Sequence, residues 1–332
     1  MFKDELSVNN GGRMLISLDF ELLCGNLTNK ESKEVRTEML GARSVIPKLL
    51  KLFNKYNIHV TWAIVGMLFS NNIEETKRYI PNNVPTYKNI WCSNYSYLDS
   101  IGKDEEHDPY YYAESIIKKI EGTENQEIGT HTFSHYFCLE DGQTQLQFES
   151  DLESAVEITQ NKTNKEVKSI VFPRNQINKN YVETLKKNGI TSYRGCEKNL
   201  IYHWPTTTWK RALRLVDTYF NITGYKCYSK SELEQNGICN LKASRFFRGY
   251  CEKLKLIEHI KISRIKGQMK YAAKNGKVFH IWWHPHNMGN NQSANLNQLE
   301  ELLKYYVTLK NKYGFSSLTM NEMSKEILDD NK

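Results

Sequence analysis

Gln126-Glu127-Ile128-Gly129-Thr130-His131-Thr132-Phe133-Ser134-His135 joins a strand-length run to two imidazoles four residues apart. Residues i and i+4 fall on one side of a helical turn or tight loop, and neutral imidazole is the commonest side-chain ligand for zinc-like ions. The stretch reads as a strand with half a chelate at its C-terminal end. Nine histidines in 332 residues make such a spacing common by accident, so its meaning rests on the surrounding fold.

Working outward, the same arrangement recurs. Strand-length apolar runs at 14–20, 59–65, 126–130, 167–172, 191–194, 278–283 and 315–318 alternate with segments of helical period at 43–56, 108–121, 144–160, 178–188, 251–275 and 295–313. Gly189 and Gly314 stand where helices would stop. The alternation predicts an α/β fold, a distorted (β/α)7-type barrel in a single domain, over 14–332 after a flexible tail at 1–13. Two stretches break the pattern and read as insertions: 82–108, bearing Asn, Tyr and Pro, and 200–249, rich in Trp, Tyr and Arg.

Composition narrows the class. An apolar content of 39% supplies a core, and no apolar run approaches the roughly 20 residues of a membrane span. Seven scattered cysteines without a Cys-x-x-Cys pair suit reduced thiols, and with no visible signal peptide the expectation is cytoplasmic. The net charge of +7 is spread along the chain, which argues against nucleic acid. A basic amphipathic helix is expected over 253–277, with Lys255, Lys261, Arg264, Lys266, Lys270 and Lys274 on its polar face. It suits a solvated face, or else a membrane surface or a phosphate-bearing substrate.

Four polar clusters follow strand candidates: Asp19-Phe20-Glu21, His131 with His135, Pro173-Arg174-Asn175-Gln176, and His284-Pro285-His286-Asn287. In barrel enzymes the loops leaving the strands converge on one face and carry the reacting groups. Asp19 and Glu21, two apart, point the same way on a strand, which suits one carboxylate on a metal and the other taking a proton from water. Two histidines and a carboxylate leave coordination positions open, as hydrolytic metals require. Arg174 is a candidate for orienting the base or binding substrate. His284 or His286 could protonate a leaving group, and the Trp282-Trp283 pair either stacks on a sugar or fills the core.

Four motifs in order, Ser17-Leu18-Asp19-Phe20-Glu21-Leu22, His131-Thr132-Phe133-Ser134-His135, Val171-Phe172-Pro173-Arg174-Asn175-Gln176 and Trp283-His284-Pro285-His286, resemble those of the polysaccharide deacetylase family. This is the NodB-homology or carbohydrate esterase 4 group, and the resemblance spans about 14–315. It implies a sugar N-deacetylase with one divalent metal ion, often zinc. Carried over, Glu21, His131 and His135 become the ligands, Asp19 the base, Arg174 the residue steadying it and His284 the acid. Trp283, His286 and Asn175 become substrate contacts. The usual first motif has two adjacent Asp, and Phe20 here holds the second place. The third motif lacks the usual Arg-x-x-Pro-Trp layout, and the motif whose Asp tunes the catalytic His has no clean match, with Asp217 in Arg214-Leu215-Val216-Asp217 a candidate.

The expected substrate is a carbohydrate, or a nucleotide- or lipid-linked sugar intermediate of surface-polysaccharide synthesis. Hydrolysis of another C–N bond in a small metabolite, or a catalytically silent carbohydrate-binding barrel, are the alternatives.

Overall fold

The computed structural model describes residues 11–27, 31–199, 201 and 207–330. The first half of the chain runs β1 (Arg13–Phe20), α1 (Lys33–Tyr56), β2 (Val60–Ile64), α2 (Ile73–Arg78), α3 (Glu114–Glu121), β3 (Gln126–Thr130) and α4 (Gln145–Thr163). There follow β4 (Ser169–Ile170), α5 (Val182–Lys187), β5 (Ser192–Tyr193), α6 (Thr208–Tyr219), β6 (Glu234–Gln235), β7 (Ile238–Asn240) and β8 (Arg245–Phe246). The chain ends with α7 (Glu258–Lys274), β9 (Val278–Trp283), α8 (Gln292–Tyr313), β10 (Ser316–Leu318) and α9 (Met320–Asp329).

The strands form one sheet in the order β6-β7-β5-β4-β3-β2-β1-β9-β8, parallel apart from the β6–β7 hairpin. One stretch of chain bends the two ends of this sheet together. Its first half hydrogen-bonds to β5, through Leu241 N to Tyr193 O and Ala243 N to Gly195 O, both 2.8 Å. Its second half turns to β9, with Ser244 N on His280 O at 2.7 Å and β8 paired to Ile281 and Trp282. Counting the β7–β8 stretch once, seven strands ring the interior, the distorted seven-stranded barrel expected of the alternation.

β1 lies at the centre. One edge pairs with β9 from Arg13 to Leu18, and the other is shared, with β10 beside Arg13–Leu15 and β2 beside Ser17–Phe20. Its two faces separate by parity, as strand geometry requires. Met14, Ile16, Leu18 and Phe20 pack against the helices with residues of α1, α7 and α8, in the main core. Leu15 faces the barrel, where Met320, Met323 and Ile327 of α9 join Ala63, Val171, Leu241 and Val278 in a second apolar cluster. Beyond Leu15 that inner face turns polar, with Ser17 and Asp19 both buried.

Several elements depart from expectation. The tail ends earlier: Arg13 already stands in β1, and Gly11 and Gly12 are buried, while 1–10 lie outside the described residues. α1 begins ten residues before the expected helix because Ser32 caps it, accepting from Val35 N at 3.4 Å, ahead of any apolar stripe. The 200–249 insertion holds α6 and the strands that close the barrel; residues 200 and 202–206 lie outside the described ones. The basic face of α7 is not a stripe. Lys261 and Arg264 are buried, Lys261 Nζ against Glu258 at 2.6 Å and the Arg248 carbonyl at 2.9 Å, Arg264 Nη2 against Asp217 at 2.9 Å. Buried charges survive only when so paired. No helix among the described residues is long and apolar enough to cross a membrane.

Candidate active site

The C-terminal ends of β1, β3, β5 and β9 meet at one rim, and their side chains form two joined groups. In the first, Glu21 Oε2 lies 3.3 Å from His131 Nε2 and 3.0 Å from His135 Nε2. All three are buried, and one ligand atom from each falls within 4.8 Å of the others. His131 Nδ1 is 2.7 Å from the Val171 carbonyl, which can only accept. The proton therefore sits on Nδ1, and Nε2 presents a lone pair to a carboxylate oxygen.

Two acceptors facing each other in a buried site call for a cation between them, and a divalent ion with ligands about 2.0–2.2 Å away fits such separations. His135 titrates below its ordinary value because burial disfavours the imidazolium, so it too suits a neutral ligand. Burial pushes the Glu21 carboxyl up, but the charge of the facing His284 helps hold it well below the carboxylate range. A Cβ on Gly25 would stand 2.2 Å from the Glu21 carboxyl carbon. Glycine there leaves the carboxylate its room.

The loop carrying the histidines is held against its backbone preference. Thr132 and His135 have φ of 64° and 58°, a region that costs non-glycine residues of order 1–3 kcal/mol. Asp151 on α4 opposes that cost. Fully buried, it accepts from Phe133 N at 2.8 Å, from Ser134 N at 3.3 Å and from the Ser134 hydroxyl.

Burial raises the Asp151 carboxyl from 3.8 to about 6, though these hydrogen bonds oppose it. The folded chain thus holds an extra proton between about pH 4 and 6, and stability falls as pH rises through that window. Against Asp151→Asn, the wild-type melting temperature is expected to rise on acidification from pH 7 to 5. Parallel melting curves would exclude Asp151 as the source.

The second group centres on Asp19. Arg194 grips it with both ends of its guanidinium, Nη1 to Oδ1 at 2.6 Å and Nη2 to Oδ2 at 2.7 Å. Nη2 also donates to Asn175 Oδ1 at 3.0 Å and Nη1 to the Ser17 hydroxyl at 3.1 Å. Ser17 in turn donates to His280 Nε2 at 2.8 Å, since His280 Nδ1 gives its proton to the Leu241 carbonyl at 2.9 Å. Burial keeps His280 neutral, down to about 3. Asp19 is pushed up by burial, but the charges of Arg194 and His284 bring it below its usual value. His284 Nε2 joins the two groups, 3.7 Å from Asp19 Oδ2 and 3.7 Å from Glu21 Oε1.

The structure redistributes three roles. Arg174 does not touch Asp19: it follows a tight turn at φ 53° and lies over the Phe137 ring at 4.4 Å. Arg194 holds Asp19 instead, and the signal was present, an Arg ending a strand candidate. Trp283 is fully buried against Phe53 and Phe247 in the helix-side core. Trp282 takes the place beside the site, lining a cleft with His284 and Asn175. Parity decides this, because His280, Trp282 and His284 share a face of β9 and its extension. Asp217 is engaged by Arg264 and stands apart from His284, whose Nδ1 meets Asn287 Oδ1 at 3.2 Å. His286 stacks on His284 at 4.8 Å, and burial with the neighbouring His284 charge lowers it to about 4. Of the two histidines, it is His284 whose Nε2 faces both carboxylates.

The model of the polysaccharide deacetylase family matches residues 37–193. No curated protein matches the chain. Among solved structures, a Mycobacterium smegmatis protein described as a polysaccharide deacetylase aligns with TM-score 0.62 at 12% identity, covering 97% of this chain and 92% of that one. A Pseudomonas aeruginosa PAO1 protein described likewise aligns with TM-score 0.53 at 11%, covering 94% and 89%. The 4-alpha-glucanotransferase of Thermococcus litoralis aligns with TM-score 0.52 at 11%, covering 95% of this chain and 40% of that one. These likenesses concern the barrel, which hosts more than one chemistry. The matched segment contains His131, His135 and Asn175, and the fold adds Asp19, Glu21, Arg194 and His284 from outside it. Over residues 37–193, a little under half of its 332 residues, the chain is similar to the polysaccharide deacetylase family.

Proposed function

We propose that the chain is a zinc-dependent N-deacetylase acting on an N-acetylated sugar or sugar conjugate, an intermediate of surface-polysaccharide synthesis. The observation that carries this reading is the contact of two groups, a buried Glu21–His131–His135 cluster and an arginine-clamped Asp19, with Glu21 and Asp19 each 3.7 Å from His284 Nε2. A histidine pair with one carboxylate suits zinc, which when bound supplies Lewis acidity at the acyl carbonyl and acidifies water.

The protein's own groups do the rest. Asp19, kept ionised by Arg194, accepts the proton of the attacking water at a carboxylate oxygen. The new C–O bond forms as the C–N bond breaks, and His284 delivers a proton from Nε2 to the departing amine. Asn175 and Arg194 hold Asp19 in line. Seven unpaired thiols, five of them buried, suit a reducing compartment such as the cytoplasm.

Acetate release from a panel of N-acetylated sugars, with metal content measured in parallel, tests the reading. Chelation is expected to abolish release and zinc to restore it. His131→Ala is expected to lose both metal and turnover. Retention of stoichiometric metal by that variant would refute the ligand set, and no acetate from any N-acetylated sugar with metal bound would refute the activity.

A further inference from the structure

Beside His284 and Asn175, the same rim opens into a cavity of about 310 Å³, within the range of small-ligand sites. Trp282 and Phe246, ring centroids 4.8 Å apart, form an aromatic wall. The remaining wall is basic: Arg211, Arg214, Arg245 and Arg248 line it against a single carboxylate, Glu197. Arginines of this density are unexpected beside a neutral glycan, whose hydroxyls ask for no net charge.

Two of these guanidiniums each have a buried nitrogen without a hydrogen-bond partner. Arg245 is 4% exposed, yet its Nη2 makes no hydrogen bond, the Asp217 carboxylate being 3.9 Å away. Its other groups are held, Nε by Gln268 at 2.8 Å and Nη1 by the Asp217 carbonyl at 3.4 Å, so the free edge is fixed in place. Arg248 Nε is likewise buried without a partner. Burial, with Asp217 nearby, raises Glu197 to about 8 despite the surrounding arginines, so near neutrality it is mostly uncharged and cancels little of their charge. A buried guanidinium edge without an acceptor is costly, and planar donors in this number match phosphoryl oxygens.

We propose that this arginine-lined cavity is a subsite for a diphosphate group attached to the N-acyl sugar, so that the substrate is a diphosphate-linked sugar. The inference rests on the deacetylase reading for the sugar end alone. The sugar lies along Trp282 toward His284, and the diphosphate lies among the arginines. One carboxylate, as on a uronic acid, brings a single charge to a wall where Arg245 Nη2 and Arg248 Nε each lack an acceptor. The carrier beyond the diphosphate is either a nucleoside or a lipid, which share this chemistry.

Calorimetric titration of the metal-loaded full chain with inorganic pyrophosphate tests the subsite without reference to turnover. Binding is expected, weakened at least tenfold by Arg211→Ala, at an exposed position on α6, and by Arg248→Met. No binding, or binding that both substitutions leave unchanged, as an anion held by the metal would give, overturns the proposal and leaves the arginines as internal ion-pair partners. Uridine diphosphate tighter than pyrophosphate identifies a nucleotide carrier, and farnesyl diphosphate tighter than either identifies a lipid. Arginine-dependent pyrophosphate binding without acetate release from any sugar would sink the deacetylase reading and leave the anion subsite standing.

Discussion

Replacing Asp19 by Asn is expected to lower turnover by about 10²–10⁴-fold, the range for removing a positioned acid–base group, while the protein still binds its metal. Asn keeps one oxygen for the Arg194 guanidinium that now spans both carboxylate oxygens at 2.6 and 2.7 Å, so the loop and strand ends should stay in place. It has no lone pair basic enough to take a proton from water. Part of the buried charge pairing is lost, so the melting temperature should fall as well, and turnover must be measured well below it. Metal content separates this variant from His131→Ala. Turnover close to wild type would remove Asp19 from the proton path.

Arg194→Leu should cost about 3–5 kcal/mol of stability, the penalty for leaving a buried charge without its partner. Asp19 and Arg194 are 2% and 1% exposed, so water offers the carboxylate no substitute. With Arg194 gone, the burial that raises Asp19 is opposed only by the charge of His284. Its pKa rises, and the base is protonated at higher pH. The acid limb of the activity profile is therefore expected to move to higher pH. Arg194→Lys should restore part of the charge effect without the two-point grip. A stability loss with an unmoved acid limb would make Arg194 a structural residue only.

Much of the barrel was legible because its long strands carry their own signal. β1, β2, β3 and β9 are runs of five to eight residues, nearly all buried, and apolar continuity marks β1, β2 and β9 in the chain. β7 and β8, three and two residues long, have no period to read; they exist because their backbone closes the ring. Asp19, Glu21, His131, His135 and His284 were placed together by the rule that strand ends converge.

Arg194 and Trp282 needed a further step, strand parity and the choice among several arginines, that linear spacing does not supply. Asp151 was beyond reach, an acid in a helix whose carboxylate turns inward to loop amides. Lys261 and Arg264 misled because helical period shows which face a residue is on, and gives no sign of a carboxylate waiting opposite.

The pairing of β1 with β9, in which Leu18 faces Trp283, has a bearing on how the molecule is made. The candidate ligands Glu21, His131 and His135 all lie within the first 135 of 332 residues, yet a chain synthesised only that far still lacks the neighbour that completes the sheet edge of β1. A nascent chain at that stage holds the parts of a metal centre beside an open apolar edge, the state in which strands pair with the wrong partner. Productive assembly waits on contacts between chain ends, a topology of slow folding, and the site is complete only once β9 has brought in Trp282 and His284.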